Sequence, residues 1–275
     1  MEAKDPETSW VVAVCNQKGG VGKTTTVYHL AWAALKRGLR VLVIDADPQG
    51  NITSTLTDDR DRAGVVGLAD ALSTRVPEET LSTVIMPGRW DGANLDLVPT
   101  SGDLLAGVRD ELIVAGAGRE SRLREQIPLV ASAYDLVLVD CAPAIDPLTI
   151  NALTAADAAL VVTQPKLFSL DGLGQLLDTI QTVRGHYNPR LTVAGILVNQ
   201  HEERTVSAAH WAAELDQAAK ERGLRVLDPP IPKRVAISDS LEAGEPLDDW
   251  PVPDAAALAG IYSRHMATLM GEGER

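Results

Sequence analysis

Short apolar runs rich in Val, Ile and Leu alternate along this chain with longer stretches whose apolar residues return every three or four positions. The short runs are WVVAVC (10–15), RVLVID (40–45), LDLVP (95–99), DLVLVD (135–140), AALVVT (158–163), TVAGILVN (192–199) and LRVLD (224–228). Each reads as a strand, and several are apolar almost throughout, as strands covered by helices on both faces must be. Helical periodicity is clearest over 24–37. There Val27, Leu30, Ala31, Ala34 and Leu35 share one side, and Gly38 follows where a left-handed C-terminal cap would sit. Further helices are expected at 103–115, 119–132, 147–156, 169–185, 205–222 and 253–270. Strand and helix in alternation predict an α/β fold, a doubly wound, mainly parallel sheet flanked by helices. The segment TDDRDRAGVVG (57–67), charged and glycine-containing, reads as an exposed loop. With no internal repeat, low-complexity segment or long linker, 10–275 is expected to form a single domain behind a short extension, 1–9.

Composition narrows the setting. A chain of 275 residues is long enough for one large domain with a substantial core. Hydrophobic residues make up 45%, yet no apolar run approaches the roughly 18 residues that a membrane span needs. The start, MEAKDPETSW, is polar and acidic and resembles no targeting segment, so a cytoplasmic protein is expected. Two cysteines, Cys15 and Cys141, suit a reducing compartment and give no disulfide framework. The net charge of −13 excludes a global attraction to nucleic acid or anionic membrane, so any such contact needs a local patch.

The chemistry concentrates in VCNQKGGVGKTTTVYHLAWAALKRG (14–38). Strand, glycine run, Lys-Thr and helix follow one another here. In that arrangement backbone N–H groups and a helix N-terminus enclose a phosphate chain. Glycine permits close approach of the backbone, Lys23 reaches the β- and γ-phosphates, and the Thr24 hydroxyl is placed for Mg²⁺. Two acids end strands downstream, Asp45 in DADPQG and Asp140 in DLVLVD. A carboxylate at such a position can hold hydrated Mg²⁺.

The glycine loop departs from the usual phosphate-loop spacing, with Gln17 where glycine is expected and a second lysine, Lys18, ahead of the run. KGGVGKT resembles the deviant Walker A loop of the ParA/MinD superfamily of P-loop ATPases, and NQKGGVGKTTT is most similar to its ParA branch. DADPQG resembles the family's D-x-D-P-Q-G segment. CAPAIDPLTINALTAAD resembles its stretch after the Walker B aspartate, with Ala142 where a proline often stands. LTVAGILVNQHEERT and PPIPKRVAISDSLEAGEPL resemble later family segments more loosely.

The resemblance implies an ATPase that converts ATP and water to ADP and phosphate, slowly until a partner stimulates it. It assigns nucleotide binding to Lys18, Gly19, Gly20, Val21, Gly22, Lys23, Thr24 and Thr25, with Asn199 and Pro232 as candidates to flank the adenine. It assigns the metal to Thr24, Asp45 and Asp140, with ATP and Mg²⁺ as cofactors. Asp47 orients the attacking water. Lys18 crosses a homodimer interface to the nucleotide of the other subunit, an arginine finger supplied in trans by a lysine. It also implies non-specific DNA binding by the ATP-bound dimer, release triggered by a ParB-like adaptor, and plasmid or chromosome segregation on the nucleoid.

Arg184, Arg190, Arg204, Arg222, Arg225, Lys233 and Arg234 are the cations available for DNA, with Arg204, Lys233 and Arg234 at positions where relatives carry DNA-contacting bases. Residues 202–275 nevertheless hold eight Lys or Arg against fourteen Asp or Glu, so a solvated mixed surface is the competing reading. About 15 residues precede the loop, too few for a helix-turn-helix extension.

Other users of such loops fit less well. An iron–sulfur reductase needs exposed cysteines, whereas Cys15 and Cys141 read as small buried hydrophobes. A MinD-like membrane ATPase needs a basic amphipathic terminal helix, and the final stretch carries few cations. A protein-cargo-positioning ATPase, or a small-molecule kinase or ATP-dependent ligase, uses the loop in the same way and stays open as an alternative.

Overall fold

The computed structural model describes residues 9–57, 66–76, 78–90, 92, 94–100, 102–166, 168–202 and 205–272, the side chains of 168–171 excepted. Most of the loop expected at 57–67, and the extension 1–9 apart from Ser9, lie outside the described residues.

The described strands join in one sheet: β1 (Trp10–Cys15), β2 (Val41–Ala46), β3 (Met86–Pro87), β4 (Leu95–Val98), β5 (Leu136–Cys141), β6 (Ala158–Thr163), β7 (Thr192–Val198) and β8 (Val226–Leu227). Their spatial order is β3-β4-β2-β5-β1-β6-β7-β8. Every described pairing is parallel except β3 on β4. The helices are α1 (Lys23–Leu35), α2 (Asn51–Leu56), α3 (Leu68–Leu72), α4 (Asp103–Val114), α5 (Arg122–Gln126), α6 (Pro147–Ala155), α7 (Phe168–His186), α8 (Val206–Glu221), α9 (Val235–Ala243) and α10 (Ala255–Leu269).

The apolar runs are explained by burial on both faces. All six residues of β2, of β5 and of β6 are buried. Alternate residues feed two separate cores. Val11, Ala13 and Cys15 join Val137, Val139 and Cys141 under α3 to α8, through residues such as Leu105, Leu148, Leu176 and Leu215. Val12 and Val14 join Leu136 and Leu138 on the opposite face, against α1, α2, α9 and α10. This is the doubly wound architecture that the alternating pattern predicts. At the end of α1, Gly38 adopts φ 78° and its N–H bonds Leu35 O at 2.8 Å, the expected left-handed cap.

Several elements differ from expectation. The helix expected over 119–132 is broken: α5 gives way to two 3₁₀ turns, at 127–129 and 131–133. Pro128 lacks the N–H that an α-helix would use there. The strand expected at 224–228 contracts to two residues before Asp228-Pro229-Pro230, where no proline can donate to a ladder. Helices α2 and α3 span six and five residues, too short to establish a period. The nine-residue α9 follows a proline-rich approach that disguised its start.

A buried histidine ties α1 to the C-terminal helices. His29 is 2% exposed, its Nε2 lies 3.1 Å from Ile237 O, and its ring packs between Tyr28 and Tyr262. Burial pushes its pKa down to about 4, while the Ile237 carbonyl and Asp248 act weakly in the other direction. The folded pKa lies below the unfolded value of about 6.5, so the unfolded chain binds the extra proton. The stability His29 contributes is therefore complete above pH 6.5 and is lost as pH falls toward 4. Between pH 7.5 and pH 5 the wild type should lose roughly 2 kcal/mol more than His29→Gln. Urea unfolding of both proteins at the two pH values checks this, and identical losses would exclude it.

Candidate nucleotide site

The site begins at the end of β1, where the sheet releases the chain into the glycine loop. Gly20 and Gly22 take left-handed conformations, φ 72° and 91°, that allow the turn back into α1. Gly22 is the N-cap of α1 and supplies no side-chain cap, so the first-turn amides are left to an external acceptor. An open helix N-terminus behind a glycine turn is a site for a phosphate chain. Lys23, only 6% exposed, lies along the inside of the loop with Nζ 3.3 Å from Lys18 O. Burial lowers its pKa, and Asp140, Cys141 and Asp47 raise it.

The sheet order puts β5 between β2 and β1, which aligns Asp45 directly with Asp140 across a parallel pair. Asp140 accepts from Thr24 Oγ1 at 2.7 Å through Oδ2, while its buried Oδ1 has no partner among the described residues. Burial raises its pKa well above the usual carboxylate range, Asp45 adds to that, and Thr24 and Lys23 oppose it. Both oxygens of Asp45 are engaged: Oδ1 accepts Asp47 N at 3.1 Å, and Oδ2 accepts Thr53 N at 3.0 Å and the Thr53 hydroxyl. Burial pushes Asp45 up to about 7 despite those donors. Asp47, 7% exposed, accepts Gln49 N at 3.0 Å through Oδ1. Its pKa is raised by burial and by Asp146 and lowered by Gln49 N–H and by Lys23.

An orphaned buried carboxylate oxygen one hydrogen bond from a threonine hydroxyl is a donor set for a hard divalent cation. The residues present therefore fit Mg²⁺, which Thr24 and Asp140 would hold. Asp45, occupied by Thr53 and its own turn, acts on that pair as a neighbouring buried charge.

A family described as AAA domain matches residues 9–193. The chain is 39% identical over 240 residues to the chromosome partitioning protein ParA of Caulobacter vibrioides, covering 86% of this chain and 85% of that one. It is also 39% identical over 234 residues to the chromosome-partitioning ATPase Soj of Thermus thermophilus, covering 85% of each. This chain belongs to the ParA-like family of P-loop partition ATPases.

Solved structures agree on the fold. Cobyrinic acid a,c-diamide synthase of Mycobacterium smegmatis, with bound ATP analog and magnesium, is 32% identical and covers 97% of both chains at a TM-score of 0.80. McdA of Cyanothece in complex with ATP reaches a TM-score of 0.84 over 98% of this chain and 99% of that one, at 20% identity.

In this ParA-like chain the structure brings together the loop residues Lys18 to Thr25 with Asp45, Asp47 and Asp140 at the carboxyl ends of β1, β2 and β5. Lys18 is exposed, and its ammonium meets no partner among the described residues. Asn199 is 3% exposed and already committed: Nδ2 donates to Val21 O at 2.9 Å, and Oδ1 accepts Gln200 N at 2.8 Å. Pro232 is buried and bridges to His201 beside it.

The cations singled out for DNA are spread, and three of them are ion-paired. Lys233 bonds Glu202 at 2.7 Å, Arg234 lies 3.6 Å from Asp254, Arg222 bonds Asp178, and Arg204 falls outside the described residues. Cys15 and Cys141 are free and buried, and burial pushes the Cys15 thiol up to about 12, as expected of inert packing residues. No described helix is long and apolar enough to cross a membrane.

Sequence reading missed three contributors. Thr53 fixes Asp45, and Gln164 and Gln200 bind the glycine loop. The only signal for the glutamines was a polar residue closing each of two apolar strands.

Proposed function

We propose that this chain is an ATP-driven partition ATPase that binds ATP with Mg²⁺, pairs face to face with a second copy and associates with DNA without sequence preference. Hydrolysis then releases the DNA when a ParB-like adaptor stimulates it, moving a plasmid or chromosome along the nucleoid. The observation that carries the reading is the contrast between the two loop lysines. Lys23 is buried against its own acids, whereas Lys18 stands exposed on the outer arm of the same loop, available to a second molecule.

Lys23 neutralises the β- and γ-phosphates of its own ATP, aided by the open N-terminus of α1. Mg²⁺, when bound, supplies further neutralisation of the phosphate oxygens. Asp47 sits where a carboxylate can orient water against the γ-phosphate. Lys18 adds a charge at the partner's phosphates, so turnover depends on pairing. Dimerisation doubles whatever basic surface each copy offers, which offsets the acid-rich composition.

A gel shift with long duplex DNA at 100 mM salt, with a slowly hydrolysed ATP analogue or with ADP, tests the cycle. Binding is expected with the triphosphate alone. Binding that ignores the nucleotide would remove the cycle.

The likeness to the Mycobacterium smegmatis protein named cobyrinic acid a,c-diamide synthase favours a second reading, an ATP-dependent ligase. That reading requires ATP turnover stimulated by a carboxylic acid and an amine donor, and unaffected by DNA.

A further inference from the structure

The carboxyl ends of β6 and β7 carry three side-chain amides that all turn toward the phosphate loop. Gln164 follows β6 and is 6% exposed, and Asn199 and Gln200 follow β7. Gln164 Nε2 donates to Gly20 O at 3.0 Å, and Gln200 Nε2 donates to the same oxygen at 3.0 Å. The two amides are joined, since Gln164 Nε2 also donates to Gln200 Oε1 at 2.8 Å. Asn199 takes the next carbonyl, Val21 O. Nearer the sheet, Asn16 Nδ2 donates to Val162 O at 2.7 Å and its Oδ1 accepts Lys18 N at 2.9 Å. Gln200 holds φ 53°, a left-handed backbone that a non-glycine residue adopts only when its surroundings demand it.

An exposed arm that carries a cation toward a second molecule has to hold its backbone in one arrangement before that molecule arrives. Gly20, without a side chain and at φ 72°, has no conformational preference that would do this. Two converging donors do. They also fix the arm formed by Lys18, Gly19 and Gly20, all of them exposed, whose amino end is held by Asn16.

We infer that Gln164 and Gln200 are positioning residues that bracket the Gly20 carbonyl and thereby set the outer arm of the loop, and with it Lys18, for a second nucleotide-loaded copy of this chain. The inference rests on the reading of Lys18 as a cation acting in trans. Asn199 secures the inner half of the loop, which serves the chain's own phosphates. The glutamines secure the half that faces outward.

Gln164→Met keeps the bulk and removes the amide, and Gln200→Gly removes the amide while accepting φ 53° without strain. Both variants and Lys18→Ala are compared with the wild type for ATP and ADP affinity by calorimetry, for pairing with a non-hydrolysable ATP analogue and Mg²⁺ by analytical ultracentrifugation, and for Tm. Each glutamine variant should weaken pairing about tenfold and change nucleotide affinity less than threefold, with Tm nearly unchanged. The double variant should be less than additive, because the two amides share one acceptor.

Wild-type pairing in the glutamine variants beside lost pairing in Lys18→Ala would overturn the bracket alone. Equal losses of pairing, ADP affinity and Tm would also overturn it, by reducing the glutamines to fold support. Full pairing by Lys18→Ala would bring down the trans reading and the bracket together.

Discussion

Asp47→Ala should hydrolyse ATP at least roughly 100-fold more slowly than the wild type while still binding it, leaving the ATP-loaded form to accumulate. The turn after β2 sets the position of this carboxylate. Asp47 N is held by Asp45, Asp47 O accepts Gly50 N at 2.9 Å, and Oδ1 accepts Gln49 N, so the carboxylate is fixed by its own backbone. Its second oxygen accepts no hydrogen bond among the described residues. Burial raises its pKa, and Lys23 keeps the raised value in check, which is how a carboxylate near phosphate becomes a better proton acceptor. Alanine removes that acceptor and also a negative charge close to where the triphosphate binds, so affinity for ATP is retained. Gly50 N still closes the turn, which limits the structural damage. Phosphate release and size-exclusion chromatography with ATP provide the readouts, and turnover at the wild-type rate would end the assignment.

Gly22→Ala is expected to lower ATP affinity by at least roughly 100-fold and to lower Tm by several degrees. A Cβ at position 22 would lie 1.9 Å from Asn199 Nδ2, and the backbone there has φ 91°. Left-handed geometry alone costs an L-residue about 1–2 kcal/mol. Asn199 cannot yield cheaply, because it is buried and bonded to Val21 O and Gln200 N. Losing those two bonds adds about 1 kcal/mol each. The loop then has to re-form away from the first-turn amides of α1. Gly20→Ala is the internal control: its φ is 72°, yet nothing lies within 4 Å of the added Cβ, so its penalty is the backbone strain alone. Calorimetry with ATP and Mg²⁺ on both variants separates the two, and a Gly22→Ala protein that binds as tightly as Gly20→Ala contradicts the packing argument.

Legibility in the sequence followed how local each feature is. Lys18 to Thr25 lie within one strand-turn-helix unit, and Asp45 and Asp140 each close an apolar run, so their chemistry could be read from neighbours a few residues away. The parallel, two-sided sheet was equally plain, because residues buried on both faces leave no polar alternation in β2, β5 or β6. Gln164 and Gln200 were not legible. They meet Gly20 across more than 140 residues of chain, through the neighbouring of β1, β6 and β7, and a polar residue after a strand is most often a plain turn former. Asn199, a candidate from its place at a strand end to flank the adenine, also bonds Val21 O across 178 residues, which no local pattern announces. Thr53 was hidden in a six-residue helix too short to show a period.

Asp45 and Asp140 are registered side by side while 94 residues of chain separate them, and the start of that stretch brings Asp47 and Thr53 to the same place. The remainder adds β4 and β3 to the far side of β2 and carries α3 to α5 before returning to the same rung, so its outer helices can change length without shifting the register of β2 on β5.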